Sequence, residues 1–567
     1  MQAVRGFGPQ VAHSVCGGGA GLRWCAGPNF CVPLMHPTIL SSADFDSAPA
    51  SSTLFAALLD AQRKFGPGTG ILEDVERTPL TFRRLVLGSW IIGAQLARLT
   101  RRDEAVGVLL PNVNGLVVTL FGLNAFGRVA ALLNFTAGIR SLKAAVETAE
   151  IRTIVSSRRF IGTAKLEDVV AGLTEGGRVR IVYLEDVRKS IGIFDKAIGV
   201  LRAAFSSHVH RRHAAKPDDP AVILFTSGTE GLPKGVVLSN RNLLSNAFQI
   251  SAHAKDALFA TDIVMNPLPM FHSFGLTAAG LMPILRGMRT ILYPSPLHFK
   301  QVASLIASAR CTVLFGTDTF MQGYARSAGE GELDCVRVAI CGAERVKDAT
   351  RKLWSKFGTV LLEGYGATEC SPVIACNLPN ANQPGSVGTL LPGQDVRLDP
   401  VDGIAEGGKL SVRGPNVMLG YMRAEQPGVI EPPREGWHDT GDIVSIGPSG
   451  HVTIKGRAKR FAKIGGEMVS LAAVEGIAAA LWPDSNHFVV SLPDPRKGEV
   501  LVLVTEKADA GRDSLLAHGR AQGVPELWVP RTIVVTAKIP VLGSGKVDLP
   551  AVMEVARLHK QRSAAGD

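Results

Sequence analysis

Apolar residues in this chain fall into short runs separated by turn-forming residues, and residues 105–127 show the pattern best. That stretch carries no charged residue and is long enough to cross a bilayer, but Pro111, Asn112 and Asn114 interrupt it. Residues 106–110 then read as a buried strand and 116–126 as a buried helix, not as one span. Strand and helix patterns keep alternating from about residue 80 to 380, which predicts doubly wound α/β layers, two of them. Residues 381–444 are richer in Gly and Pro with short apolar runs, which predicts a small β subdomain. Beyond the charged run Gly456-Arg457-Ala458-Lys459-Arg460, residues 472–481 read as a helix and 487–492, 501–505 and 532–536 as strands. That tail is a compact α+β unit within the usual domain range. No internal repeat is visible.

The beginning of the chain has neither period. Residues 1–34 are rich in Gly, hold Cys16, Cys25 and Cys31, and lack the continuous apolar core of a signal peptide. Residues 1–40 are expected to be disordered, or to reflect a start codon placed too early, with Met35 as the start.

Charge changes the picture only in part. The 567 residues hold 61 Lys and Arg against 50 Asp and Glu, a formal charge of +11. That surplus fits an acidic partner such as anionic lipid or an acidic carrier protein, and equally a surface that is merely basic. Nothing resembles a nucleic-acid module, so no nucleic-acid partner is expected. The eight cysteines show no metal pattern. Cys335 and Cys341 share their spacing with Cys370 and Cys376, and neither pair is a Cys-x-x-Cys. Small buried thiols in a reducing cytoplasm are the expectation.

Candidate chemistry begins with Thr226-Ser227-Gly228-Thr229-Glu230-Gly231-Leu232-Pro233-Lys234-Gly235, placed between an apolar run at 221–225 and another at 236–238. Glycines and hydroxyls between two strands leave backbone N–H groups free to turn toward an anion, and a triphosphate is the obvious guest. The spacing is not that of a Walker A loop. A plain surface turn would carry similar residues; the Pro-Lys-Gly that follows favours phosphate.

This run resembles the phosphate-binding signature of the adenylate-forming (AMP-binding) enzymes. Further signatures follow in that superfamily's order: PLPMFHSFG at 267–275, EGYGATE at 363–369, WHDTGD at 437–442, GRAKRFAKIGG at 456–466 and GSGK at 543–546. The resemblance implies a large domain over 41–455, made of two doubly wound α/β subdomains and a small β subdomain. It also implies a hinge at 456–459 and a mobile small α+β domain over 460–567. ATP and Mg²⁺ are the implied cofactors. A carboxylate would attack the α-phosphorus, pyrophosphate would leave, and a thiol would then displace AMP, so charge neutralisation and positioning carry the first step.

By the same resemblance, the segment 226–231 wraps the β- and γ-phosphates, with the hydroxyls of Thr226, Ser227 and Thr229 assisting beside Gly228, Gly231 and Lys234. Glu230 replaces a more usual threonine; facing inward it would repel the triphosphate, so it is expected to turn outward or meet a cation. Lys546 is implied to sit between the substrate carboxylate and the α-phosphate, where a point charge on a flexible stem suits a developing oxyanion. Glu369 is implied as the Mg²⁺ ligand, Thr368 as an α-phosphate contact, and Tyr365, preceding Gly366, as the ring stacked on adenine. Gly342, Ala343 and Glu344 would line the base, and Asp442 with Arg457 would hold the ribose. His272 would position groups between acyl pocket and thiol tunnel. Lys459 takes the hinge position, where aspartate is more usual, and Gly466 would line the tunnel after the small domain rotates.

The apolar walls expected at 271–276 and 313–320 offer no Lys or Arg for a second carboxylate, which favours a long-chain fatty acid. A narrower likeness runs from about residue 80 to 546. It rests on LLNFTAG at 132–138, YPSPLH at 293–298, GRAKRFAKIGGEMVS at 456–470 and VLGSGK at 541–546. These are similar to the synthetase half of bifunctional 2-acylglycerophosphoethanolamine acyltransferase/acyl-[acyl-carrier-protein] synthetases. The thiol implied is that of acyl-carrier protein, approached through Lys459, Arg460 and Lys463; CoA is the alternative, and a non-catalytic lipid- or nucleotide-binding relative a third reading. The acyltransferase half is expected to be absent and its function left to a separate lysophospholipid acyltransferase. A cytoplasmic location follows, with peripheral contact at the inner face of the cell membrane left open. His213 and Asp218 have the acyltransferase spacing His-x-x-x-x-Asp but sit in a polar stretch leading into the apolar run at 221–225, so a chance match is the expected reading.

Overall fold

The computed structural model describes residues 38–213, 215–227, 233–401, 404, 406–464, 467–494, 498–541 and 547–565. Among these, the strands form four sheets. The apolar runs Ala105–Val108, Val129–Leu132, Thr153–Ser156, Arg180–Tyr183 and Pro220–Ser227 pair in parallel as five of the eight strands of the first sheet. Pro233–Ser239 returns antiparallel to Pro220–Ser227. In the second sheet, Gly70–Glu73, Ile263–Asn266, Arg289–Leu292, Val313–Gly316, Val338–Cys341 and Val360–Gly366 are parallel. Helices cross between these strands, so the first sheet is buried on both faces. Val222 and Leu224 point into one core, and Ile223 into another. This is why the strands read as continuous apolar runs. Leu132, Val222, Val264 and Leu314 belong to one shared core with Trp90 and Phe121 of the crossover helices Phe82–Leu99 and Asn114–Ala125.

The fold class expected from sequence holds: an α/β body followed by a smaller α+β domain. The segment 105–127 is a strand and a helix, and among the described residues no helix is long and apolar enough to cross a membrane. The small domain builds on Phe461–Ile464, Glu467–Ser470, His487–Asp494, Gly498–Thr505 and Thr532–Val535, with the helix Leu471–Leu481 packed on His487–Asp494.

Three details differ from the sequence reading. Residues 38–40, assigned there to an unstructured leader, lie in the strand Thr38–Ser41, which pairs with Asp395–Asp399. The small β sheet runs from that strand through Gly408–Arg413 and His438–Ile446 to Val452–Arg457, so Gly456 and Arg457, assigned there to the hinge, are strand residues of this sheet. The hairpin Gly420–Arg423 and Gln426–Glu431 leaves that sheet altogether and extends the first large sheet, with Tyr421 opposite Val236.

Candidate active site

Most of the singled-out residues lie just beyond the carboxyl ends of parallel strands, where open α/β sheets present their loops to ligands. Thr226 and Ser227 end Pro220–Ser227, pairing across to Lys234 and Pro233. Gly342, Ala343 and Glu344 follow Val338–Cys341; Tyr365 and Gly366 end Val360–Gly366, and Thr368 and Glu369 open the next turn. Gly228, Thr229, Glu230, Gly231, Gly466 and Lys546 lie outside the described residues, as do Cys16, Cys25 and Cys31.

The loop 267–275 is held by two buried asparagines. Asn112 donates to the Leu268 carbonyl and accepts the Met270 N–H, while Asn266 donates to the Gly275 carbonyl and accepts the Leu268 N–H. Buried amides satisfied on both ends fix a loop firmly. His272 is therefore carried on a braced segment, its ring 4.8 Å from that of Phe271. The next residue, Ser273, reaches the Thr368 hydroxyl at 3.3 Å. Phe271 packs on Phe135 of the LLNFTAG run, and Phe274 meets Phe315 edge-on at 5.8 Å, so the two expected acyl walls are neighbours.

Asp442 and Arg457 face each other in register on adjacent strands of the small sheet. The Tyr365 hydroxyl donates to Asp442 Oδ2 at 2.5 Å, and Arg457 Nε lies 3.3 Å from Oδ1. Burial raises the pKa of the Asp442 carboxyl, and the Tyr365 hydroxyl and Arg457 only partly offset it. Burial also raises Tyr365, keeping it a neutral donor. The sugar-holding role expected of Asp442 requires an ionised carboxylate, and under that role nucleotide affinity should fall as pH drops through this raised pKa. Removing a cation raises it further. Calorimetry of ATP binding across mildly acidic pH should show the affinity of Arg457→Ala falling off at higher pH than that of the parent; coincident profiles would sink the pairing.

Glu369 and Lys234 meet at a residue the sequence did not single out. The Tyr421 hydroxyl donates to Glu369 Oε1 at 2.6 Å, and Lys234 Nζ sits 5.3 Å from the centre of the Tyr421 ring. Burial and the neighbouring carboxylate raise the Tyr421 pKa, so it stays a donor. No local signal marks Tyr421; only its pairing opposite Val236 brings it here. His438, also unremarked, is buried near Glu369 and Asp442, and burial lowers its pKa toward a neutral ring. Among the described residues no cluster of three or more His, Cys, Asp or Glu could hold a metal alone. The single half-buried carboxylate of Glu369 fits Mg²⁺, which takes few protein ligands and completes its shell with phosphate and water.

Other expectations are adjusted. Glu344 Oε2 accepts both the N–H and the hydroxyl of Thr319 at 2.9 Å, so it fastens the start of the helix Asp318–Ser327. Ala343 carries a left-handed backbone, φ +66°, uncommon for a residue with a Cβ and typical of functional turns. Lys459 lies in the short turn Ala458–Arg460. Arg460 is not a free surface charge: it pairs with Glu475 and lies 4.0 Å from the Phe488 ring centre. Its packing inside the small domain removes it from the proposed carrier-guiding set, leaving Lys459 and Lys463. His213 stacks on Phe126 and Asp218 pairs with Arg241, which accounts for both members of that spacing structurally. The described cysteines are free, and burial raises the thiols of Cys341, Cys370 and Cys376.

Comparison with known proteins agrees with this geometry. A long-chain-fatty-acid–CoA ligase of Yersinia pestis is 27% identical over 82% of this chain and 88% of its own length. A feruloyl-CoA synthase of Amycolatopsis is 29% identical over 79% of this chain and 88% of its own. Among solved structures, ATP-bound MatB from Rhodopseudomonas palustris superposes with a TM-score of 0.75 at 25% identity, covering 89% of this chain and 98% of that one. The model of the AMP-binding enzyme family matches residues 60–422, well over half of the sequence and inclusive of the phosphate loop, Glu369 and Tyr421. With that match and the strand-end arrangement of its site, the chain belongs to the AMP-binding enzyme family.

Proposed function

We propose that this protein is an ATP-dependent, AMP-forming acid–thiol ligase that activates a long-chain fatty acid and passes it to CoA. The convergence of Lys234, Tyr421 and Glu369 beside Thr368 carries the reading. It supplies a cation for phosphate and a hard carboxylate for Mg²⁺ within one neighbourhood. When bound, Mg²⁺ neutralises phosphate charge. Glu369 would hold it, with its carboxylate oriented by the Tyr421 hydroxyl. Asp442 and Arg457 would fix the ribose, and Tyr365, anchored through its hydroxyl, would offer its ring to adenine. Thr226, Ser227 and Lys234 would bind the phosphates, with Gly228, Thr229, Glu230 and Gly231 between them.

In the first step a carboxylate oxygen bonds to the α-phosphorus as the bond to pyrophosphate breaks, with Lys546 beside the developing charge. In the second, a thiolate sulfur bonds to the acyl carbon and AMP leaves. The acyl walls, Phe271, Leu276, Val313 and Phe315, are buried and apolar, which supports an aliphatic tail. CoA is preferred over acyl-carrier protein because relatives covering most of the chain are named CoA ligases and synthases, and because Arg460 is engaged elsewhere. Carrier protein as acceptor rests on the motif likeness alone.

The deciding measurement is thioester formation by purified protein with ATP, Mg²⁺ and palmitate, run in parallel with CoA and with holo-acyl-carrier protein. Product on CoA is expected. Product on the carrier alone would replace the proposal with the carrier-protein synthetase and imply a separate lysophospholipid acyltransferase. No product and no pyrophosphate with any acid would favour a non-catalytic relative.

A further inference from the structure

The helix Ile193–Ala204 is built inside out. Its polar side faces the protein: Asp195 pairs with Arg98 at 2.8 Å, and Arg202 lies 5.4 Å from the Phe126 ring centre. Gly199, between them on the same face, is buried directly against Ile91 of the helix Phe82–Leu99. The opposite side is a solvent-facing apolar row. Phe194, Ile198, Leu201 and Phe205 follow the i, i+4, i+7, i+11 spacing that stacks side chains along one helix face. Phe194 is 81% exposed and Phe205 61%, with Ile193 and Val200 exposed beside them. Large apolar side chains gathered on one face mark an interaction surface, unlike the scattered singles normal for soluble proteins.

The charge around this row chooses its partner. Between Arg188 and His213 the sequence holds six Lys and Arg (188, 189, 196, 202, 211 and 212) and one acid, Asp195, which is already paired. Arg188, Lys189, Lys196, Arg211 and Arg212 are all exposed. A second copy of the chain would bring the same cations face to face, which disfavours self-pairing. At 12 residues the helix is about 18 Å long, too short to cross a hydrocarbon core of about 30 Å. An apolar row flanked by exposed cations matches a helix lying in the plane of an anionic bilayer. We propose that Ile193–Ala204, with Phe205, is a membrane-docking face that binds anionic lipid. The phenylalanines and leucine enter the acyl boundary, while Arg188, Lys189, Arg211 and Arg212 meet the headgroups. This inference does not depend on the thiol acceptor or on catalysis.

The test is co-sedimentation of the full chain with vesicles of phosphatidylcholine alone or mixed equally with phosphatidylglycerol. The parent is expected to bind the mixed vesicles and lose binding at high salt. A Phe194→Asp/Leu201→Asp variant, altered only in solvent-facing positions, should bind at least about tenfold less. Its melting temperature and ATP-dependent pyrophosphate release should be unchanged. Arg211→Glu/Arg212→Glu should lose chiefly the salt-sensitive part. Equal binding to both vesicle types, or undiminished binding by the Asp variant, overturns the proposal. So does a parent that ignores vesicles yet self-associates through this face, which the Asp variant would reveal as a monomer in sedimentation velocity.

Discussion

A Lys546→Ala chain is expected to lose acyl-adenylate formation by about 10²–10³-fold, the usual cost of removing one preorganised charge from a developing oxyanion. Lys546 lies outside the described residues, but the segment that carries it is anchored at both ends. Val541 and Val547 pair across it, and the Asp548 N–H donates to the Pro540 carbonyl at 2.9 Å. The variant should still transfer acyl from a synthetic acyl-adenylate to the thiol, because that step does not need a charge at the α-phosphate. Pyrophosphate release measured beside thioester formation separates the two steps. Adenylation at the parent's rate would remove Lys546 from the site.

The second large effect is structural. A Cβ on Gly366 would run into the Pro372 carbonyl oxygen, and backbone, unlike a flexible side chain, cannot step aside. Gly366→Ala should therefore destabilise the fold by about 1–3 kcal/mol. The shift would be transmitted to Tyr365 on one side and to Thr368 and Glu369 on the other, so KM for ATP should rise as well. Gly476→Ala is the matched control: it lies in the helix Leu471–Leu481 with open space where the Cβ would go, and alanine favours a helix. Thermal unfolding of both variants decides the matter; equal melting temperatures would mean that the strand end at Gly366 yields more readily than its neighbours allow.

What the sequence revealed was local. The apolar runs at 106–110 and 221–225 declared themselves as strands because burial on both faces leaves no polar alternation. Turn residues bounded them. The same physics hid the rest. Asn112 looks like a mere interruption of an apolar stretch, yet its amide braces the loop that carries His272. Tyr421 sits in a Gly- and Pro-rich stretch that reads as part of the small β sheet. Its strand instead adds to the edge formed by Pro233–Ser239, nearly two hundred residues earlier. Which edge a short strand joins depends on packing against distant neighbours, and composition does not carry that information. Arg460 shows the converse: a run of basic residues suggests a solvated loop, and only the partners Glu475 and Phe488 show that one of its members is packed away.

Arg457 and Arg460 are three positions apart, yet they are fastened to different bodies. The first is tied to Asp442 in the small sheet, the second to Glu475 in the C-terminal domain. Only Ala458 and Lys459 lie between them to take up a change of angle. A turn of the C-terminal domain would therefore tug on the arginine that lowers the Asp442 pKa. Domain orientation and nucleotide occupancy would then be reciprocally linked. Arg457 is mostly solvent-exposed, so this linkage amounts to less than about 1 kcal/mol. A linkage of that size would bias the release of a spent nucleotide without locking the domain in place.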